Sequence, residues 1–282
     1  MSGCCVSDAA LAAMLQEDAP FGDLTTRSLG IAGLPGRLTM AARGPMCLCG
    51  SEEAARMFEL GGAHVTRLVA SGQRLEAGDL LLEAEGSAGA LHLAWKTAQT
   101  LMEYLSGFAS GAADIVDALR GAGHTLPLAC TRKNFPGNRQ LAAKAVLAGG
   151  AVAHRLGLSE TLLVFPDHRV FVDNVALAER FEQLRQQCPE KKLVAEASDL
   201  EEVLWLARCG ADVIQLERFS PEALQSCRHR LHAAGLKPLL APAGGVTLAN
   251  ALAYAEAGAD FLVSSAPYFA PPRDVKVNFL RA

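Results

Sequence analysis

Residues 191–217 read KKLVAEASDLEEVLWLARCGADVIQLE, in which two short apolar runs flank a helical segment. The spacing predicts strands over residues 192–196 and 212–216 and a helix over residues 200–207. Two strands that a helix connects run parallel in one sheet, because the crossover returns the chain to the same edge. The stretch therefore predicts a βαβ unit whose strands lead into Glu196 and Glu217.

The same alternation continues on both sides of this unit. Predicted strands cover residues 126–130, 161–165, 192–196, 212–216, 238–241 and 260–263. Predicted helices cover residues 140–147, 173–186, 200–207, 221–232 and 248–256. Short βα units favour a closed α/β barrel over an open doubly wound sheet, and no GxGxxG motif follows the first strand.

The N-terminal part of the chain has the pattern of a smaller α/β domain. Predicted elements are a helix over residues 8–15, strands over 36–43, 64–70 and 80–84, and a hairpin-like connection over 72–79. A second helix is predicted to begin at Ser51, a good N-cap residue, and residues 91–120 predict one or two buried helices. We expect an N-terminal domain over residues 1–112, a barrel domain over 113–268 and a returning C-terminal segment over 269–282.

The charge balance excludes a general affinity for nucleic acid. The chain has 26 basic and 30 acidic residues and a net charge of −4, so any anion site is local. The N-terminus lacks the basic and apolar regions of a signal peptide. No apolar run approaches the roughly 18 residues of a membrane span. We expect no membrane partner and a cytoplasmic location.

The eight cysteines are scattered and include no CxxC pair. Cys47-Leu-Cys49 could supply one arm of a metal site, but no second arm with suitable spacing follows. Small, half-buried thiols in a reducing compartment are the simpler interpretation.

Polar residues follow the predicted barrel strands, and the carboxyl ends of such strands meet at one mouth. Two cations, Arg132 and Lys133, follow the first strand, and His154 and Arg155 lie in the loop before the second. Adjacent like charges repel and do little for a fold, whereas they suit a carboxylate or phosphate ligand. The alternatives are a solvated loop and a structural histidine.

Acidic and glycine-rich residues follow the later strands. Glu196 and Glu217 could bind ribose hydroxyls, hold Mg²⁺, stabilise a developing positive charge or form ordinary ion pairs. The segment Ala243-Gly244-Gly245 offers backbone N–H groups to a phosphate. Together these features favour phosphoribosyl transfer, in which a ribosyl cation forms as pyrophosphate leaves.

Four motifs resemble those of the nicotinate-nucleotide pyrophosphorylases, or quinolinate phosphoribosyltransferases, and most closely their ModD branch, named for its association with molybdate transport. They are Glu17-Asp-x-x-x-Gly22-Asp23-Leu-Thr25-Thr26, Leu105-Ser106-Gly107, Thr131-Arg132-Lys133-x-x-Pro136-Gly137 and Gly149-Gly150-x-x-x-His154-Arg155-x-Gly157-Leu158. The resemblance implies an N-terminal α/β sandwich domain and an incomplete α/β (TIM-like) barrel of six or seven strands. It also implies a homodimer in which one subunit's N-terminal domain covers the other's barrel mouth.

The resemblance further implies a role for each matching residue. Phosphoribosyl pyrophosphate, an aromatic acid and Mg²⁺ are the implied ligands, with Mg²⁺ held through the pyrophosphate and by Glu196 and Glu217. Implied catalytic residues are Lys133, Glu196 and Glu217. Implied acceptor-site residues are Lys96, Thr131, Arg132, His154, Arg155 and Phe165, and implied phosphate-binding residues are Ala243, Gly244, Gly245 and Ser265.

The sequence departs from the family pattern mainly at the acceptor site. Lys96 stands where the quinolinate enzymes have an arginine, and Phe165 where they have a lysine. Smaller departures are Val194 for an acidic residue, Pro242-Ala243 for two serines, and Glu217 for an aspartate. We hypothesise that quinolinate is a poor substrate and that a less charged aromatic acid stacks on Phe165.

Two other functions fit parts of the pattern. A non-catalytic relative that senses a phosphorylated ligand or acts in molybdenum metabolism would bind ligand without releasing pyrophosphate. A different barrel enzyme would use Lys133 as a Schiff-base nucleophile, with the adjacent Arg132 favouring the neutral amine.

Overall fold

The computed structural model describes residues 3–172 and 176–281, which form two compact units. The first unit contains described residues 3–113, 134–150 and 267–281, and the second contains 114–133, 151–172 and 176–266.

The first unit is built around an antiparallel sheet. Its helices are α1 (Asp8–Asp18), α2 (Leu24–Ser28), α3 (Ser51–Leu60), the first part of α4 (Ala88–Gly121) and α5 (Arg139–Ala148). Its strands are β1 (Pro35–Ala42), β2 (Met46–Cys47), β3 (His64–Leu68), β4 (Arg74–Leu75), β5 (Leu80–Ser87) and β13 (Val275–Arg281). The main sheet has the order β13-β1-β5-β3, and β2 pairs with β4.

Alternation along β1 shows why one face of this sheet is covered. Leu38, Met40 and Ala42 are buried, whereas the residues between them are more exposed. Successive side chains of a strand point to opposite faces, so these three share the inner face. The predicted strands at 36–43, 64–70 and 80–84 are confirmed with shifted ends, whereas β2, β4 and β13 were not predicted as strands.

Helix α3 begins differently from the prediction. Ser51 is the first helical residue, and Gly50 takes the N-cap position with φ of +88°. A Cβ atom at Gly50 would lie 2.8 Å from Leu105 Cδ1, so this close approach requires glycine. The predicted Ser51 cap was therefore wrong, because tertiary packing decides the boundary.

The second unit contains parallel strands connected by helices. Its strands are β6 (Leu128–Cys130), β7 (Val152–Ala153), β8 (Leu162–Val164), β9 (Leu193–Ala197), β10 (Val213–Glu217), β11 (Leu239–Ala243) and β12 (Leu262–Ser264). Its helices are α6 (Pro166–Arg169), α7 (Leu177–Gln187), α8 (Leu200–Arg208), α9 (Pro221–Ala233) and α10 (Ala251–Glu256).

These strands form an incomplete α/β barrel, as the family resemblance implied, whereas the short βα units had favoured a closed one. They lie in two parallel sheets of order β11-β10-β9-β8 and β12-β6-β7. Asp260 bridges β11 and β12, since its N–H donates to Leu240 O at 2.9 Å and its Oδ2 accepts from Leu240 N at 2.6 Å. The six predicted strands are confirmed, and the two-residue strand β7 lies in the predicted loop before residue 161.

Most predicted helices are confirmed with small shifts at their ends. The helix predicted over residues 248–256 begins only at Ala251. The one predicted over residues 173–186 corresponds to α7, and residues 173–175 lie outside the described part of the chain. Residues 91–120 form the single helix α4. Among the described residues, no helix has the length and apolarity needed to cross a membrane.

Residues 134–150 are placed differently from what we expected from the sequence, which assigned them to the barrel domain. They lie in the first unit, where Leu141, Ala142 and Ala145 share a core with Leu105 of α4. A Cβ atom at Gly149 would lie 2.8 Å from Ala112 Cβ. Close helix packing therefore ties this segment to α4.

Candidate active site

The carboxyl ends of the parallel strands in the second unit carry most of the predicted site residues. Parallel strands of a barrel present these ends at one mouth. The residues, in chain order, are Thr131, Arg132, Lys133, His154, Arg155, Phe165, Glu196, Glu217, Ala243, Gly244, Gly245 and Ser265.

Hydrogen bonds join the end of β6 to the end of β12. The Thr131 N–H donates to Ser264 O at 3.0 Å, and the Thr131 and Ser265 hydroxyl oxygens are 2.7 Å apart. Thr131 Oγ1 also accepts from the Lys133 N–H at 3.2 Å. These contacts hold the loop that carries the first two cations beside Ser265.

The second pair of cations is aligned with the first through β7. The His154 N–H donates to Cys130 O at 2.9 Å. Burial, together with the charge of Arg155, lowers the pKa of His154, and burial and the charge of Arg132 lower the pKa of Arg155. Arg132 Nε is buried and has no hydrogen-bond partner among the described residues. Two guanidinium groups that repel each other, one with an unsatisfied donor, fit an anionic ligand.

Phe165 lies directly beside this cationic pair. The guanidinium carbon of Arg155 is 5.5 Å from the centre of the Phe165 ring. The His168 ring stacks on Phe165 with centroids 5.7 Å apart, and the Phe165 N–H donates to His168 Nδ1 at 2.9 Å. The predicted aromatic residue is thus held in place next to a predicted acceptor-binding arginine, as a cation–π pair.

The acidic residues lie on neighbouring strands of the four-stranded sheet. Gln215 of β10 is paired in register with Glu196 of β9, and its Nε2 donates to Glu196 Oε2. Burial, and then the charge of Glu217, raises the pKa of Glu196, whereas the Gln215 amide and Lys133 oppose that shift. Lys133, Glu196 and Glu217 are therefore electrostatically coupled.

Gln215 was missed in the sequence reasoning, although a signal for it exists. Val213, Gln215 and Glu217 alternate along β10 and so share one face. A buried glutamine on the same face as a predicted catalytic carboxylate is expected to hydrogen-bond inside the site.

The glycine-rich loop is shaped against Glu217. Gly244 has φ of +73°, and a Cβ atom there would lie 2.7 Å from Glu217 Cδ. Gly245 has φ of +106°, and a Cβ atom there would meet no atom within 4 Å. Ala243 is buried and paired with Glu217 on β10, so it can offer the loop's ligand only backbone groups.

One N–H group of this loop is already used within the protein. The Thr247 N–H donates to Asn250 Oδ1 at 2.8 Å, and Asn250 Nδ2 donates to Gly245 O at 2.9 Å. Asn250 therefore fixes the loop, and Thr247 is not among the N–H groups open to a phosphate. Asn250 was not predicted as part of the site.

Arg218 is a further residue that the sequence reasoning missed. Its φ of +58° lies in the left-handed region, which costs a residue with a Cβ atom about 1–2 kcal/mol. Its Nε is 3.6 Å from Glu217 Oε1, and its side chain is 84% exposed. An exposed pair of this kind stabilises a fold by about 0–1 kcal/mol.

Lys96 belongs to the first unit, unlike the other predicted site residues. Its Nζ donates to Gln99 Oε1 at 3.0 Å and lies 4.7 Å from the centre of the Trp95 ring. Lys96 lines a cavity of about 620 Å³ in that unit together with Glu17 and Asp18. The first motif and Lys96 therefore share one cavity wall.

The Leu105-Ser106-Gly107 motif has a packing role in the same unit. Ser106 Oγ accepts from the Cys49 N–H at 3.0 Å. A Cβ atom at Gly107 would lie 3.0 Å from the carbonyl carbon of Pro271. The motif thus allows the chain near Pro271 to approach α4 closely.

Metal binding is limited by the available ligands. No cluster of three or more His, Cys, Asp or Glu side chains suited to a metal ion occurs within residues 3–172 and 176–281. Glu196 and Glu217 supply two carboxylates. Such a pair fits Mg²⁺ that takes its remaining ligands from substrate oxygens and water.

Comparison with known proteins gives a consistent result over nearly the whole chain. Residues 23–106 match the N-terminal domain of quinolinate phosphoribosyl transferase and residues 108–278 match its C-terminal domain. The chain is 48% identical over 250 residues to ModD of Rhodobacter capsulatus, which is named as a pyrophosphorylase, covering 87% of this chain and 95% of that protein. It is 33% identical to the carboxylating nicotinate-nucleotide pyrophosphorylase of Mycobacterium leprae, covering 89% of each.

Solved structures agree on the fold. The nicotinate-nucleotide pyrophosphorylase of Francisella tularensis superimposes with a TM-score of 0.88 at 23% identity, covering 98% of each chain. Fold, motif order and matched domains lead to one conclusion: the chain belongs to the quinolinate phosphoribosyl transferase family.

Proposed function

We propose that the protein transfers the phosphoribosyl group of phosphoribosyl pyrophosphate to an aromatic or heterocyclic acid and releases pyrophosphate. The observation that carries this proposal is the arrangement at the strand ends. A mutually repelling Arg132–Arg155 pair with an unsatisfied donor lies at the ends of β6 and β7. Two coupled carboxylates, Glu196 and Glu217, lie at the ends of β9 and β10.

Each group of residues has a part in this reaction. Arg132 and Arg155 bind the acceptor's carboxylate, with His154 and Thr131 nearby. Glu196 and Glu217 stabilise the positive charge that develops on the ribose as its bond to pyrophosphate breaks.

The donor side uses the remaining residues. Lys133 binds the phosphoribosyl pyrophosphate, and the Ala243–Gly245 loop and Ser265 bind its phosphate oxygens. Mg²⁺ held through the pyrophosphate and by the two glutamates would neutralise charge on the leaving group.

The acceptor is expected to carry less negative charge than quinolinate. Phe165 contacts Arg155 where the family resemblance implies a lysine, so one cation is lost and a flat apolar surface is gained. Losing a charge-assisted hydrogen bond costs about 1.5–3 kcal/mol, roughly 10- to 100-fold in affinity. A ring with a single acidic group stacks on Phe165 without leaving a buried carboxylate unpaired.

A pyrophosphate-release assay tests the function. Purified protein is incubated with Mg²⁺, phosphoribosyl pyrophosphate and a panel of pyridine, purine and pterin-like acids, including quinolinate. We expect release with at least one acid of low charge and little with quinolinate. If the protein bound phosphoribosyl pyrophosphate but released no pyrophosphate with any of the acids, the non-catalytic alternative would be favoured. The exposed position of Lys133 argues against the Schiff-base alternative, which needs a desolvated lysine.

Two variants test the acceptor assignment. Phe165→Lys is expected to raise quinolinate turnover about tenfold or more by restoring the lost charge. Phe165→Leu is the matched control, because it removes the ring without adding a charge. It should lower turnover of the preferred acid and leave quinolinate turnover unchanged. If the unaltered protein turned over quinolinate as fast as quinolinate phosphoribosyltransferases do, the proposal of an altered acceptor site would be refuted.

We also propose a homodimer in which Lys96 serves the acceptor site of the partner. The family resemblance is the basis of this proposal. Mixing Lys96→Ala protein with Lys133→Ala protein tests it, because subunit exchange would create a dimer with one intact site. Recovery of activity in the mixture is the expected result, whereas no recovery despite subunit exchange would contradict shared sites.

A further inference from the structure

Arg218 adopts a backbone conformation that its residue type disfavours. It is the sole non-glycine residue with positive φ in the described ranges 3–172 and 176–281. Asparagine and glycine enter this left-handed region more readily than arginine does. The identity of the residue at this position therefore works against the local backbone.

Neighbouring contacts impose this conformation. The Arg218 N–H donates to Ala243 O at 2.8 Å, which extends the β10–β11 pairing one residue beyond the strand. The next residue, Phe219, is buried, and its carbonyl accepts from the Tyr254 hydroxyl at 2.6 Å. The chain must turn sharply between these two anchors whichever residue occupies position 218.

The side chain gains little from the fold in return. Its guanidinium is largely exposed, and Glu217, at 3.6 Å, is its ion-pair partner among the described residues. Exposed pairs at such distances contribute little to stability. Neither the backbone nor the ion pair accounts for an arginine here, whereas an anionic ligand would.

We propose that Arg218 binds a phosphate group of the substrate beside the Gly244-Gly245 loop. The inference rests on the proposed function. Glu217 and Ala243 are partners in the β10–β11 register, and the Glu217 carboxylate lies against Gly244, so Arg218 lies next to this loop. A planar guanidinium suits two phosphate oxygens at once. The Arg132–Arg155 pair follows strands of the other sheet, and the proposed function assigns it to the acceptor's carboxylate instead.

Binding and unfolding measurements on two variants test this assignment. Arg218→Asn removes the charge and suits the left-handed backbone, and Arg218→Lys keeps the charge and the strain. Arg230→Gln is the control, because Arg230 is also exposed and pairs weakly with a single glutamate, Glu201, at 3.7 Å. Calorimetry measures binding of phosphoribosyl pyrophosphate, inorganic pyrophosphate and ribose 5-phosphate, and thermal melts measure Tm.

We expect Arg218→Asn to bind phosphoribosyl pyrophosphate about tenfold more weakly while its Tm rises. Arg218→Lys should bind about threefold more weakly with an unchanged Tm, and Arg230→Gln should leave binding unchanged. Weaker binding of only one of the two smaller probes identifies which phosphate Arg218 contacts.

Two results would overturn the assignment. One is an affinity of Arg218→Asn for phosphoribosyl pyrophosphate within about twofold of that of the unaltered protein. The other is a raised KM for the acceptor with no change in the binding of phosphoribosyl pyrophosphate. Binding of phosphoribosyl pyrophosphate without turnover of any acceptor would refute the proposed function alone, since the variants would still be compared by affinity. If the unaltered protein bound none of the three probes, both the proposed function and the assignment of Arg218 would be refuted.

Discussion

Two clusters of charged residues in this protein differ in how completely their charges are matched. In the first unit, Lys144 is buried between two carboxylates, with Nζ 2.9 Å from Glu52 Oε2 and 2.7 Å from Glu53 Oε2. At the strand ends of the second unit, Arg132 and Arg155 repel each other, and so do Glu196 and Glu217.

The buried cluster satisfies its own polar atoms. Glu53 Oε1 also accepts from the Cys5 N–H at 2.8 Å, Glu52 Oε1 accepts from the Ser71 N–H at 2.9 Å, and Lys144 Nζ donates to Gly3 O at 3.0 Å. The cluster thereby fixes the N-terminal residues to α3 and α5.

The strand-end cluster instead leaves a donor of Arg132 unsatisfied and raises the pKa of Glu196. Matched charges thus serve the fold, whereas unmatched charges indicate a ligand.

Removing Lys144 should have the largest effect on stability. Lys144→Met leaves two buried carboxylates unpaired, and we expect the free energy of unfolding to fall by about 3–5 kcal/mol in urea titrations. Arg56→Gln is a matched control, because Arg56 also pairs with two carboxylates, Asp8 and Glu59, but on the surface. Its loss should lower the free energy of unfolding far less, because solvent screens exposed ion pairs. Equal losses of unfolding free energy for Lys144→Met and Arg56→Gln would show that the buried cluster is no more important to the fold than an exposed one.

Removing Lys133 should affect activity and leave stability unchanged. Lys133→Met is expected to lower the rate of pyrophosphate release about 10²- to 10³-fold, as for other charges that stabilise a leaving group. Its free energy of unfolding should stay within about 0.5 kcal/mol of that of the unaltered protein, because Lys133 is exposed. A large loss of stability with full activity would reverse the assignment of this cluster to function.

The glycine-rich loop offers a smaller test. Gly244→Ala and Gly245→Ala both place a Cβ atom at positive φ, and each should lose about 1–2 kcal/mol of stability. The Cβ atom at Gly244 alone would also displace the Glu217 carboxylate, so only this variant should lose most of its activity. Equal activity losses would show that the position of Glu217 does not matter.

The smallest expected effect is a pH dependence of stability. The raised pKa of Glu196 means that the folded protein holds this proton more tightly than the unfolded chain. Stability from this group is present below the usual glutamate range and declines as pH rises through the raised pKa. Glu196→Gln should thus melt slightly higher than the unaltered protein at pH 7 without Mg²⁺, and the difference should vanish toward pH 4. A difference independent of pH would contradict this account.

Local periodicity made the parallel strands predictable, because each is a short apolar run between helices. It did not predict β7, because two residues are too few to show a period. It also misplaced the start of α3, since contact with Leu105 requires glycine at position 50. The segment 134–150 joins the first unit through apolar contacts with α4. Periodicity could not predict this, because the segment is separated in sequence from the rest of that unit.

Several site residues depend on such distant contacts. Gln215 gains its role by lying in register with Glu196, and Asn250 by turning back onto Gly245. Arg218 is exceptional only through its backbone angle, which the buried neighbour Phe219 helps to impose.

Local sequence properties, hydrophobic period and strand-end position, were enough to predict the parallel strands, their succession along the chain and the kinds of side chain at their ends. The tertiary structure alone decided which of those charges are matched. Neither Lys144 nor Arg132 has an acidic residue next to it in the sequence, yet of the two it is Lys144 that meets carboxylates in the fold. The physical reason is that the energy of a charge depends on its burial and its partners, which the folded chain brings together from distant positions.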